Sequence, residues 1–226
     1  QCLPNYQVFD ERRYFVAGTQ SMVCDIDGLR VGLLVCEDVW VPDIVEATCR
    51  LGVDLILVVN ASPFAEGKFG ERFNHLKHRA SVNQVPIAYV NLVGGQDELI
   101  FDGGSLVVDR DGEIIAQAIF FDEDRLDVVW NGQYLTGDRV ENTPTDDELL
   151  YQALVTGVRD YFSKTGFSKA VLGLSGGIDS NVLASIAKNI FDQDIHCFSV
   201  MNDDKRYEEK EMIDIAIENL GVRHTG

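Results

Sequence analysis

VLGLSGGIDSNVLASIA, residues 171–187, passes from an apolar strand through a glycine-rich turn into an apolar helix. A turn of this kind ordinarily cradles a phosphate. Gly176 and Gly177 let the backbone approach an anion without a Cβ clash. The helix behind them offers free N–H groups and the positive end of its dipole. Ser175 and Ser180 add hydroxyl donors. The stretch lacks the lysine that kinase and GTPase loops place before their Ser/Thr. Asp179 would repel a bare phosphate, and its presence makes sense if Mg²⁺ bridges it to the phosphates.

Outward from that stretch the pattern is layered α/β. Toward the C-terminus, HCFSV (196–200) reads as a strand and Glu208–Leu220 as a helix; with a strand over Lys169–Leu174 and a helix over Ser180–Phe191, the order is β-α-β-α, that of a doubly wound domain. Toward the N-terminus, Thr145 opens a T-D-D-E capping box with Glu148. The helix behind it places Leu150, Leu154, Val158 and Phe162 on one face. Residues 131–146 are polar, with Gly and Pro, and read as a linker. Before it, VGLLV (31–35), DLILVV (54–59) and VPIAYVNL (85–92) read as strands, with helices near Ile44–Leu51 and from Gly70 to Asn83. SLVVD (105–109) and EIIAQAIF (113–120) flank Arg110-Asp111-Gly112, a hairpin turn, so this sheet is not purely parallel.

The 226 residues suffice for one or two domains. With 19 Lys+Arg against 37 Asp+Glu the formal charge is −18, which argues against a nucleic-acid partner. Five cysteines, Cys2, Cys24, Cys36, Cys49 and Cys197, are odd in number and form no CxxC, so a reducing, cytoplasmic compartment is expected. No apolar run approaches membrane-spanning length. Gln1 is not an initiator methionine and the chain stops just after a helix-like segment, so truncation at both ends is expected.

RVGLLVCEDVW (30–40) ends a buried strand at Cys36. A thiol at a sharp turn there would face a pocket, and the Glu37 N–H could stabilise an oxyanion. A cysteine closing an apolar strand also occurs as an ordinary small core residue.

Motifs in order separate these readings. LPNYQVFDERRYF (3–15), VCEDVW (35–40), NASPF (60–64) and VNLVGGQDELIFDGGS (90–105) together resemble the nitrilase-type glutaminase domain of the glutamine-dependent NAD synthetase family. YQALVTGVRDYFSKTGF (151–167) leading into GLSGGIDS (173–180) resembles the start of that family's synthetase domain, and the loop itself resembles those of the ATP-pyrophosphatase superfamily. The resemblance implies a nitrilase-like layered α/β domain over residues 1–131, a linker over 132–146, and the start of a doubly wound α/β ATP-pyrophosphatase domain over 147–226. It implies that Cys36 is the glutaminase nucleophile, that Glu11 is an auxiliary glutamate, and that Tyr6, Ser62 and Lys68 bind L-glutamine. It further implies that Gly173, Leu174, Ser175, Gly176, Gly177, Ile178, Asp179 and Ser180 bind ATP, with Asp179 on Mg²⁺. Nicotinic acid adenine dinucleotide would be the acceptor, and the full-length parent a homo-oligomer, with neither nucleic acid nor membrane as partner.

Nitrilase-fold enzymes activate the thiol with a glutamate and a lysine. In this family the lysine directly precedes the xxLPNY segment, at the residue before Gln1, and the glutamate lies further upstream. The chain as given is therefore expected to be inactive. After Val200 the resemblance weakens. CFSV…DDKRYEEKEM…LGVRH echoes the asparagine-synthetase branch, which leaves another ATP-dependent amidotransferase open. A degenerate, non-catalytic nucleotide-binding chain is the third reading. Asp97, Glu98 and Asp102 read as structural or interface residues.

Overall fold

The computed structural model describes all residues except 7–8, 138–142, 170, 191, 193 and 201–208. The middle of the expected linker, the ends of the expected helices at Phe191 and Glu208, and Met201 with the divergent segment behind it lie outside the described residues. The chain forms two compact units, Gln1–Thr156 and Gly157–Gly226.

The first unit is built on a six-stranded mixed sheet. Its strands are β1 (Met22–Ile26), β2 (Leu29–Val35), β3 (Leu55–Asn60) and β4 (Ile87–Asn91). Two short hairpins follow in sequence from β4, starting with β5 (Val93–Gln96) and β6 (Leu99–Asp102). Next come β7 (Leu106–Val108) and β8 (Ile114–Gln117), then the hairpin of β9 (Val128–Trp130) and β10 (Leu135–Gly137). The sheet order is β1-β2-β3-β4-β7-β8. β2, β3 and β4 run parallel, while β1, β7 and β8 add antiparallel edges. Helices α1 (Pro42–Cys49) and α2 (Lys68–Asn83) supply the parallel crossovers.

The sheet alternates as a two-faced strand must. Leu34, Ile56, Val58, Ile87, Tyr89 and Leu106 join Val45 of α1 with Leu76 and Ala80 of α2 in one core. Leu55, Ala88, Val107 and Ala116 pack with Leu135 on the other face. Arg72, Leu76 and Ala80, at a spacing of four, form the buried stripe of α2. The expected hairpin at Asp111-Gly112 is present: the Asp109 carboxylate accepts the Asp111 and Glu113 N–H groups. Gly112 sits at φ 84°, and a Cβ there would lie 2.8 Å from the Lys77 carbonyl oxygen, so only glycine fits.

Helix α3 (Asp146–Thr165) begins at the expected capping box: Thr145 Oγ1 accepts the Glu148 N–H, and Glu148 accepts the Thr145 N–H. Its buried face differs from the expectation. Leu149, Ala153 and Thr156 are buried, with Leu149 and Ala153 against Phe121, Phe64, Ile100 and Phe120, whereas Leu150 and Leu154 are exposed. The aromatic cluster selects the stripe one residue earlier than the one that spacing alone favours.

In the second unit β11 (Val171–Gly173), β12 (His196–Phe198) and β13 (Arg223–Thr225) form a parallel sheet in chain order. Helix α4 (Ile178–Ser185), prolonged by a π-helical turn at Ile186–Ile190, and helix α5 (Lys210–Leu220) connect them. Leu174, Ala184, Ile195, Cys197 and Ile213 are its core. Among the described residues no helix is long and apolar enough to cross a membrane.

Candidate active sites

Cys36 stands at the carboxyl end of β2, where ligand sites of α/β sheets gather. It opens a 3₁₀ turn over Cys36–Trp40. Its φ is +44°, in the left-handed region that a residue with a side chain occupies only under constraint. The constraint is visible. Asp38, 4% exposed, accepts the Val35 N–H at 3.1 Å with one carboxylate oxygen and the Cys2 N–H at 2.8 Å with the other. It ties the turn to the strand before it and to the segment carrying Tyr6. The sequence reading did not single out Asp38; the only signal was its place two residues after the cysteine.

Burial pushes the Cys36 thiol up, and the carboxylates of Glu37 and Asp38 push the same way. The Ala61 and Glu37 N–H groups oppose them by hydrogen bonding to the sulfur. The donor expected to serve an oxyanion thus faces the sulfur itself, alongside a second one. The Tyr6 hydroxyl donates to Glu37 at 2.9 Å. Burial, that hydrogen bond and the acidic neighbours push its pKa to about 12, so Tyr6 stays a donor at neutral pH.

Behind Ala61 lies a buried polar network. Arg72 and Asp102, each 1% exposed, form a two-pronged ion pair at 2.9 Å and 2.9 Å. Asn91 donates to Asp102 at 3.1 Å and to the Ser62 and Gly103 carbonyls, and accepts the Ser62 N–H at 2.9 Å. Arg72 also donates to the Ser62 and Pro63 carbonyls. The segment presenting the Ala61 N–H is therefore held from the core. Asp102 is structural, as its sequence context suggested. Arg72 and Asn91 escaped the sequence reading, because their partners lie on other segments, from nine to thirty residues away.

Tyr6 and Cys36 are brought together: Cys36 is among the groups that raise the Tyr6 hydroxyl, and Tyr6 donates to Glu37, the residue after it. Ser62 is buried next to Ala61. Lys68 opens α2, with its ammonium 2.8 Å from Glu71 and 4.5 Å above the Trp40 ring. Glu11 heads a 3₁₀ turn at Glu11–Arg13, and among the described residues its side chain makes no hydrogen bond or ion pair.

The second site is the Ser175–Ser180 loop between β11 and α4. Leu174 is buried and Gly173 closes β11. Ser180 Oγ accepts the Ser175 N–H at 3.1 Å, and Ser175 Oγ accepts the Gly177 N–H at 3.2 Å. Asn181 donates to the Gly177 carbonyl at 2.7 Å and to the Ser175 carbonyl at 3.2 Å. Asp179 and Ile178, in the first turn of α4, are exposed. Among the described residues the Asp179 carboxylate makes no hydrogen bond or ion pair. One exposed carboxylate beside two hydroxyls is a hard oxygen donor set, which suits Mg²⁺ rather than a softer metal.

The carbon-nitrogen hydrolase family matches residues 3–129, and NAD synthase matches residues 150–225. A glutamine-dependent NAD(+) synthetase of Aquifex aeolicus is 38% identical, over 97% of this chain and 45% of that protein. Its namesake in Acinetobacter baylyi is 41% identical, over 85% of this chain and 36% of that protein. Among solved structures, the glutamine-dependent NAD+ synthetase from Acinetobacter baumannii in complex with ADP superposes with a TM-score of 0.88 at 37% identity, over 99% of this chain and 43% of that one. The chain thus spans less than half the length of these relatives.

Proposed function

The chain belongs to the carbon-nitrogen hydrolase family, and on that premise we propose that it serves the amidation of nicotinic acid adenine dinucleotide to NAD, driven by ATP and by ammonia taken from glutamine. The observation that carries the proposal is the pairing, in one chain, of a constrained cysteine at a strand end with a serine–glycine phosphate cradle. The match to NAD synthase over residues 150–225 supports the dinucleotide acceptor over an asparagine-type one.

At the first site the Cys36 sulfur attacks the side-chain amide carbon of glutamine. The thiol proton passes to the departing nitrogen, ammonia leaves, and a γ-glutamyl thioester remains for water to cleave to glutamate. Tyr6 and Ser62 offer hydroxyls and Lys68 an ammonium toward the amino acid. Glu11 is assigned as an auxiliary carboxylate. At the second site the acceptor carboxylate attacks the α-phosphorus of ATP, pyrophosphate leaves into the loop, and ammonia then displaces AMP. The loop needs no lysine over a β/γ bond, because β and γ depart together. Residues 173–180 hold the nucleotide, and Asp179 would hold Mg²⁺, which when bound offsets charge on the leaving pyrophosphate. Domain limits at 1–131 and 147–226, with a linker at 132–146, belong to the same proposal, as do a cytoplasmic location and a homo-oligomeric parent. The five unpaired cysteines suit a reducing compartment.

The test is Cys36→Ala in the full-length gene product. Glutamine-driven NAD synthesis should fall to background while synthesis from added ammonia persists. Loss of both in a folded variant would overturn the division of labour between the two sites.

A further inference from the structure

The phosphate cradle described above is already engaged by an acid of the same chain. The Gly176 N–H donates to Glu209 Oε2 at 3.0 Å. The N–H groups on either side of it are treated differently: those of Ser175 and Gly177 are met locally, by Ser180 Oγ and Ser175 Oγ. Of these three, Gly176 alone turns its N–H to a charged group from elsewhere in the sequence. Close packing delivers that group. A Cβ on Gly176 would stand 3.2 Å from Glu209 Cβ and 3.1 Å from Met212 Cβ. Glu209 occupies the cap position at the head of α5, which fixes its backbone beside the loop. Its side chain is exposed and, among the described residues, makes no ion pair that would draw it away.

A carboxylate on a backbone N–H is a charge-assisted hydrogen bond, the same kind of interaction that a phosphate oxygen would make there. The two anions compete for one donor. When a phosphate takes the donor, the displaced carboxylate stays tethered a few ångströms from the new negative charge, where like charges repel strongly.

We propose that Glu209 is a built-in competitor of the polyphosphate ligand, occupying the Gly176 N–H in the empty loop and lowering the loop's affinity for pyrophosphate. The proposal rests on the reading of this loop as a polyphosphate cradle. Its functional sense is that of a specificity-determining residue. An intramolecular anion on the donor sets a threshold that a single weak anion does not meet, and that a ligand making several loop contacts at once does. It also favours release of pyrophosphate after it has formed, since the carboxylate is at hand to reclaim the N–H.

Calorimetric titration of the 226-residue chain with inorganic pyrophosphate, without divalent cation, tests it with four proteins. Glu209→Gln should bind about tenfold more tightly than the parent chain, the scale of one charge-assisted hydrogen bond. Glu209→Asp keeps the charge but shortens the reach by one methylene, and should also bind more tightly than the parent. Glu211→Gln removes an exposed charge of the same helix that makes no contact with the loop, and should leave binding within about twofold. The inference is overturned if Glu209→Gln binds within twofold of the parent. It is equally overturned if Glu211→Gln tightens binding as much, or if Glu209→Asp matches the parent, since net charge rather than the contact would then be at work. If none of the four proteins binds pyrophosphate, the cradle reading itself fails, and the inference falls with it.

Discussion

The turn after β2 and the turn after β11 both close a strand end, and they are held by opposite means. At Cys36 the left-handed backbone is held from afar: Asp38 reaches back to Cys2, and Arg72, Asp102 and Asn91 fix the strand end that carries Ala61. At Ser175–Ser180 most bonds close within six residues, through Ser175, Ser180 and Asn181. The buried frame suits the nucleophile proposed for the first turn, because a nucleophile must meet an incoming carbon at a fixed angle. The local turns suit the anion cradle proposed for the second, which needs only convergent N–H groups.

The comparison breaks most sharply at Arg72. Arg72→Ala leaves Asp102 buried without its partner and should destabilise the first unit by about 3–5 kcal/mol. Both tryptophans, Trp40 and Trp130, lie in that unit, so urea unfolding followed by tryptophan fluorescence reads it alone. A shift under 1 kcal/mol would mean that the frame is not held from the core.

Asp38→Ala comes next. It strands the Val35 N–H and frees the turn, at a cost of about 1–3 kcal/mol by the same fluorescence measurement. Loss of one of the two acidic groups that raise the thiol should at the same time speed Cys36 alkylation by iodoacetamide at pH 7.5. Ser180→Ala is the counterpart in the second unit. It removes a local acceptor and should cost about 1 kcal/mol or less, read as the rate at which buried Cys197 becomes accessible to a thiol reagent in urea. A larger loss at Ser180 than at Asp38 would invert the contrast.

The smallest effect concerns pH. Burial and two acidic neighbours raise the Cys36 thiol above its ordinary value. The thiolate is thus disfavoured by the fold, and whatever stability Cys36 contributes is present below the unfolded-state value and lost as pH rises through the folded one. Iodoacetamide should modify Cys36 more slowly at pH 7.5 than it does a cysteine in a short peptide, with the rate still climbing above pH 9. A plateau by pH 8 would mean that a cation within the chain lowers the thiol.

The same contrast governs what the sequence revealed. The loop was legible because its parts are contiguous: strand, Ser-Gly-Gly-x-Asp-Ser, helix. The strand carrying Cys36, the two crossover helices and the Asp111-Gly112 hairpin were legible from periodicity and turn chemistry. Arg72 was not, because a charged residue inside the buried stripe of α2 follows no hydrophobic period, and its partner Asp102 stands thirty residues away. Asn91 and Asp38 were hidden because a lone polar residue whose partners lie on other segments leaves no local pattern. α3 shows the limit of periodicity: two stripes were available, and the aromatic cluster around Phe121 decided between them.

Cys36 is the residue proposed to meet glutamine. A glutamine analogue bearing a diazoketone in place of the side-chain amide alkylates a thiol only when its amino-acid end is bound beside it. Peptide mass mapping of the 226-residue chain after exposure at pH 8.5 should find the adduct on Cys36, blocked by excess glutamine and reduced in Tyr6→Phe. Equal labelling of Cys24, Cys49 and Cys36, unaffected by glutamine, would contradict the assignment.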